Sequence, residues 1–127
     1  MGSWGLKPFD NDTANDWLFE LDRSSDLKVL RAALTPPPGH MPTTDCEVLL
    51  GAAQTLTAAL GRADELPTRA RTWLSRHPHL DYPSLLPLAR THLTRLLTLS
   101  EMSERYQDSG QHKEWLEVVA DLVDRLG

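Results

Sequence analysis

Thr44-Asp45-Cys46-Glu47-Val48-Leu49-Leu50-Gly51-Ala52-Ala53-Gln54-Thr55-Leu56-Thr57-Ala58-Ala59-Leu60-Gly61 is the stretch whose reading decides the fold. It opens on Thr-x-x-Glu, the pattern of a capping box, in which Thr44 accepts from a first-turn amide and Glu47 reaches back to the cap. Leu49, Ala53, Leu56 and Leu60 recur at helical spacing, and Gly61 is a natural stop. Ala52, Ala53, Ala58 and Ala59 add little bulk, so neighbouring helices can come close. Such a helix belongs at the centre of a bundle.

Working outward toward the N-terminus, residues 35–43 (Thr-Pro-Pro-Pro-Gly-His-Met-Pro-Thr) form a Pro-rich connector. Three consecutive prolines cannot sit in a helix interior and favour polyproline II. The same composition suits an SH3-type ligand, the less favoured reading. Before the connector, Leu27, Leu30 and Leu34 line a short second helix, with Ser24 and Ser25 breaking the first and capping the second. The first helix begins inside Asp10-Asn11-Asp12, three residue types whose side chains accept from free first-turn amides. Ala14, Trp17, Leu18 and Leu21 give it one apolar stripe, and Phe9 ahead of the cap is placed to staple onto it. Residues 1–10 form an N-terminal arm, and Trp4 is expected to be buried against the bundle.

Toward the C-terminus, Pro67 opens a fourth helix with Ala70, Trp73 and Leu74 on its face, ending at His77-Pro78. A fifth starts near Ser84, with Pro87 in its first turn and Leu86, Ala89, Leu93 and Leu96 in register. Leu99, Met102 and Tyr106 continue that register, whereas Thr98-x-x-Glu101 is a second capping box. Periodicity favours continuity and the cap favours a break, so both remain open. Ser109-Gly110 closes this segment, and Trp115, Val118, Val119, Leu122 and Leu126 make the last helix. No window alternates long enough for a strand. The expectation is all-α, one helical domain over residues 1–127, a compact bundle of five or six helices with the arm packed on it, roughly 70% helical.

The bulk numbers fit. The 127 residues are 40% hydrophobic and 24% charged, with a net charge of −5. That acidity argues against a nucleic-acid binder, which needs a basic footprint. No apolar run approaches the roughly 18 residues of a membrane span, and the N-terminus lacks the charged and apolar regions of a signal peptide. The compartment expected is the cytoplasm. Charge is uneven along the chain: Asp10, Asp12, Asp16, Glu20, Asp22 and Asp26 crowd residues 1–26, and Arg69, Arg71, Arg76, Arg90 and Arg95 crowd residues 69–95. The two regions either face one another or are solvated; alternatively the acidic one is a docking face for a basic partner.

Catalytic and metal patterns are weak throughout. His77-x-His79 with Asp81 has metal-ligand residue types, but a loop around Pro78 does not enforce convergence as helical i, i+4 histidines do. Asp10-x-Asp12 opens like an EF-hand, and the pattern then fails at Ala14, Asn15 and Leu21. Cys46, the single cysteine, excludes an internal disulfide and a thiolate cluster, and reads as a buried apolar residue. There is no Gly-x-Ser-x-Gly elbow, phosphate loop or dinucleotide fingerprint. Neither a metal nor a cofactor is expected. The four tryptophans read as core residues, not as a stacking platform.

Trp4-Gly5, then Phe9-Asp10-Asn11-Asp12, then Ala14-x-Asp16-Trp17 resembles a bacterial family catalogued as domain of unknown function 4259. Its members are of similar length and carry Phe-Asp-Asn-Asp shortly after an N-terminal Trp-Gly. The resemblance implies bacterial origin and a small standalone protein. It implies no activity and carries over no catalytic residue.

The candidate site is therefore the motif itself: Trp4, Gly5, Phe9, Asp10, Asn11, Asp12, Asp16 and Trp17. The leading expectation is a non-enzymatic protein-binding module, an immunity or antitoxin-like inhibitor whose acidic face meets a basic toxin. The alternative is an enzyme or small-ligand binder that uses Asp10, Asn11, Asp12 and Asp16; it requires those carboxylates to be free of backbone amides. A structural homo-oligomer is the second alternative.

Overall fold

From Leu49 to Thr57 every residue of the central helix is buried. This helix, α3, spans Thr43–Ala59. Its polar residues are satisfied without leaving the fold, as buried polar groups must be. The Thr55 hydroxyl donates to the Gly51 carbonyl at 2.9 Å and Thr57 to the Gln54 carbonyl at 2.7 Å. The Gln54 amide donates to the Glu65 carbonyl at 2.7 Å.

The computed structural model describes residues 5–63 and 65–127. Around α3 stand α1 (Asp12–Asp22), α2 (Lys28–Ala33), α5 (Leu86–Thr98), α6 (Glu101–Ser109) and α7 (His112–Leu126), all in contact with it. The remaining helix, α4 (Thr68–Arg76), packs on α1, and a 3-10 turn at Tyr82–Leu85 leads into α5. The fold is all-α, with seven α-helices and no strand among the described residues. No helix is long and apolar enough to cross a membrane among those residues. One hydrophobic core runs from Trp17 to Leu126, with Leu6 and Phe9 of the arm packed against it. Trp17, Trp73 and Trp115 are core residues. Trp4 lies outside the described residues.

Seven helices stand where five or six were expected because the 84–108 stretch is two helices. Ser100 caps the second: its hydroxyl accepts from the Ser103 amide at 3.0 Å and donates to the Leu96 carbonyl at 2.5 Å. Neither predicted capping box forms. Thr98 is the last residue of α5, and Glu101 does not turn back to it. The Glu101 carboxylate crosses to the start of α3, where it accepts from the Thr43 amide at 3.0 Å and the Thr43 hydroxyl at 2.5 Å. Pro42 occupies the cap position of α3 and has no side-chain donor or acceptor to offer. A carboxylate from 58 residues downstream therefore caps that helix, and Glu47 is buried instead of closing the Thr44 box. A two-bond bridge reinforces the junction: Met41 N donates to Leu99 O at 2.9 Å and Glu101 N to Met41 O at 2.8 Å. Ser24 and Ser25 likewise do not cap α2; the Asp26 carboxylate accepts from the Lys28 amide at 2.9 Å.

The Thr43 hydroxyl and amide hold the Glu101 carboxyl below the ordinary glutamate pKa. An acid whose folded-state pKa is depressed stabilises above its unfolded value and ceases to as pH falls through the folded one. Glu101→Gln is therefore expected to lower the urea midpoint at neutral pH. The gap from wild type should narrow as pH falls below about 4, where the unfolded-state glutamate is protonated first, and close below the folded-state pKa. A gap of equal size at neutral and acid pH would show that the carboxylate charge is not what caps α3.

The Pro-rich connector is held from behind by Arg95. Its guanidinium donates to the Pro36 carbonyl at 3.3 Å and the Gly39 carbonyl at 3.1 Å, and also to the Pro37 carbonyl. Among the described residues the two charged regions meet at Asp22 of α1, which accepts from Arg76 at 2.6 Å and from Arg69 at 3.4 Å, both on α4.

Candidate functional site

The turn before α1 is built by Asp10. Its carboxylate accepts from the Lys7 amide at 3.1 Å while its own amide donates to the Lys7 carbonyl at 3.0 Å. That loop closes over Gly5, where an added Cβ would lie 2.9 Å from Asp10 Cγ and clash with the carboxylate. Asn11 is the N-cap of α1, accepting from the Ala14 amide at 2.7 Å from an extended backbone (φ −156°). Its amide group donates to the Pro8 carbonyl at 3.3 Å. Asn15, one turn into the helix, donates to the Phe9 carbonyl at 2.9 Å and the Asn11 carbonyl at 2.7 Å. Two asparagines thus satisfy the arm carbonyls of Pro8 and Phe9, which no helix ladder reaches, and Asn15 adds a side-chain bond to the cap carbonyl of Asn11. Phe9 lies against Gly51 of α3, with ring carbons 3.2 and 3.4 Å from where a Cβ there would be.

Of the motif residues, Gly5, Phe9, Asp10 and Asn11 join the arm to α1 and α3, and Trp17 is buried beneath them in the core. Asn11→Ala removes the cap and is expected to cost about 1 kcal/mol, within the usual 0.5–2 range for such caps. Asn11→Asp, which keeps the acceptor, should recover most of that. Urea unfolding of the three proteins checks it; equal midpoints for the alanine and aspartate variants would remove the cap from the account.

Asp12 and Asp16 are a different case. Both are exposed, and with Glu20 they stand at i, i+4 and i+8 on one face of α1. Asp10, Asp22 and Asp26 all accept hydrogen bonds or ion pairs. Asp12, Asp16 and Glu20 accept none among the described residues. Asp16 and Glu20 edge a groove of about 590 Å³ between α1, α2 and α3, and Asp12 continues their row beyond it. Trp17, Val29, Ala33 and Val48 supply its apolar lining, and Lys28 and Ala32 stand on the α2 side. Phe19, a little further along α1, is half exposed under the Arg69 guanidinium, 4.3 Å from its ring centroid.

The motif already named Asp16 and Trp17, but the partners that turn them into a groove were not legible. Val29, Ala32 and Val48 come from two other helices and carry no local signal. A larger cleft of about 720 Å³ lies between the arm, the end of α3 and α7. Of the charges bordering it, Lys7 pairs with Glu65 at 3.0 Å and Arg125 with Asp121 at 3.1 Å, and Arg62 donates to the Arg125 carbonyl at 3.0 Å. No three His, Cys, Asp or Glu side chains gather in a metal-binding arrangement among the described residues. The His77 ring packs on Trp73, with centroids 4.7 Å apart. Burial pushes the Cys46 thiol up to about 11, so it is protonated at neutral pH and is no ready nucleophile.

The family model for a domain of unknown function (DUF4259) matches residues 2–118. No curated protein and no solved structure matches the chain.

Proposed function

The chain belongs to the DUF4259 family, and from that premise we propose that it is a non-enzymatic protein-binding module of the cytoplasm, an immunity or antitoxin-like inhibitor that meets a basic toxin through α1. One observation carries this reading: the polar residues of the N-terminal motif and of α1 divide into two sets. Asp10 and Asn11 are consumed by the turn and cap, which takes away half of the set a catalytic or small-ligand site would use. Asp12, Asp16 and Glu20 are left facing solvent in a row, beside an apolar groove. A surface with a desolvatable centre and a charged rim is the arrangement of a protein interface, and the net charge of −5 favours fast encounter with a basic partner.

The test compares wild type with the Asp16→Lys/Glu20→Lys double variant as bait in host extract. Both sites are exposed, so the variant is expected to unfold at the wild-type urea midpoint. A basic protein should be retained by wild type, bind the double variant at least about tenfold more weakly, roughly 1.4 kcal/mol, and lose its own activity when wild type is added. Retention that ignores the charge reversal, or a captured protein whose activity is untouched, would remove the inhibitor reading.

A further inference from the structure

Resting on that protein-binding reading, we propose that the occupant of the α1–α2–α3 groove is a basic amphipathic helix of the partner. It lies along α1 with its apolar side on Val29 and Val48 over the edge of Trp17, and its lysines or arginines against Asp16 and Glu20.

Three features of the groove select this occupant. The first is charge: Asp16 and Glu20 stand on its edge and Asp12 continues the row, none paired among the described residues. An acidic or neutral segment would leave them desolvated without a partner, which is costly. The second is spacing. Residues four apart on a helix rise about 6 Å along its axis, so cations at i and i+4 of an aligned helix meet both acids. The groove follows α1 from Thr13 to Glu20, roughly 10 Å at 1.5 Å per residue, about the length of two helical turns.

The third is backbone chemistry, and it decides between a helix and an extended strand. The walls are helices, whose own amides and carbonyls are spent within them. A strand laid on Trp17, Val29 and Val48 would find no edge to pair with and would bury unsatisfied backbone groups. A helix satisfies its own and presents only side chains, the helix-in-groove mode. Lys28 on the opposite side limits how much positive charge the groove accepts there, so its removal should tighten binding.

The probes are three synthetic 14-residue peptides: a helical Leu/Lys amphipath, its Leu/Glu counterpart, and the Leu/Lys sequence with a central proline. They are titrated into the full-length isotope-labelled chain and followed by amide chemical shifts. The Leu/Lys peptide is expected to bind at tens of micromolar, shifting Thr13, Val29, Ala32 and Val48. Asp16→Lys/Glu20→Lys should weaken it at least tenfold, Ala32→Arg should block it, and Lys28→Glu should tighten it severalfold. The glutamate and proline peptides should bind at least tenfold more weakly.

Equal binding of the proline peptide, shifts outside the groove, or indifference to Ala32→Arg would overturn the helical occupant. Those results would leave the inhibitor reading standing if acid-dependent capture still occurs in extract. Peptide binding at the groove without any acid-dependent capture would remove the inhibitor reading and keep the helix-binding surface.

Discussion

Trp73→Ala should cost about 3–5 kcal/mol, the largest loss expected from any single substitution considered for this chain. Trp73 is fully buried on α4 and ties the turn after α1, 49 residues upstream, to the end of α4 and the 3-10 turn that follows it. Its indole N–H donates to the Ser24 carbonyl at 2.9 Å, at the turn after α1. Its ring stacks at a tilt on His77, where α4 ends, and meets Tyr82 of the 3-10 turn edge-on, with centroids 6.4 Å apart. Tyr82 in turn donates to the His77 carbonyl at 2.7 Å, so removing the indole also loosens that lid.

Domains of this size are stable by about 5–15 kcal/mol in total, so this one truncation takes a large share. At about 3–6 °C per kcal/mol the melting temperature should fall by roughly 10–25 °C. Trp73→Phe separates the two contributions: it keeps most of the apolar contact and orphans the Ser24 carbonyl, for an expected loss of about 1–2 kcal/mol. Urea midpoints with unchanged slopes would measure both. If the alanine variant lost less than about 1 kcal/mol, α4 would not be held through its tryptophan.

Much of this architecture was legible because its causes are local. Capping chemistry placed the start of α1 within Asp10–Asp12, where Asn11 alone proves to be the cap, and 3.6-residue periodicity placed Trp17, Trp73 and Trp115 in the core. What escaped reading shares one physical character: a side chain satisfied a distant backbone group instead of a near one. Glu101 had the spacing to cap its own helix and caps α3 instead, because Pro42 leaves Thr43 without a local acceptor. The break at Ser100 followed from that junction with Met41, a contact that no periodicity encodes. Arg95 read as one of a basic cluster and is spent on the connector carbonyls. The candidate site divides in the same way. The capping role of Asn11 was readable from its own turn, Asp10 instead closes back on the Lys7 amide, and the groove beside Asp16 exists only once Val29 and Val48 are brought to α1. The free acids stand apart from the engaged ones only after every hydrogen bond is placed.

Gly51→Leu is expected to destabilise by about 1–3 kcal/mol, despite placing a far better helix former in the middle of α3. A glycine in a helix interior costs about 0.5–1 kcal/mol relative to alanine, so its presence there needs a reason. The reason is the close approach of α1 and the arm ahead of it. A Cβ at 51 would lie 3.1 Å from the Ala14 Cβ and 3.2 Å from the Phe9 ring. Ala14 is fully buried and its Cβ moves only with the backbone of α1, whereas Phe9 stands ahead of the helix and can shift by a few tenths of an ångström. Gly51→Ala therefore sets the propensity gain against the cost of shifting α1 by a few tenths of an ångström, and with the two nearly cancelling it should come out within about 0.5 kcal/mol of wild type. Leucine gains no more helix propensity than alanine and adds three further carbons where none fit. The strain is relieved by moving α1 off α3, which carries Asp12, Asp16 and Glu20 away from Val48 and opens the groove. The leucine variant should thus lose both its urea midpoint and its affinity for the Leu/Lys peptide, while the alanine variant keeps both. A leucine variant as stable as the alanine one would mean that Gly51 is not where α1 and its arm close on the central helix.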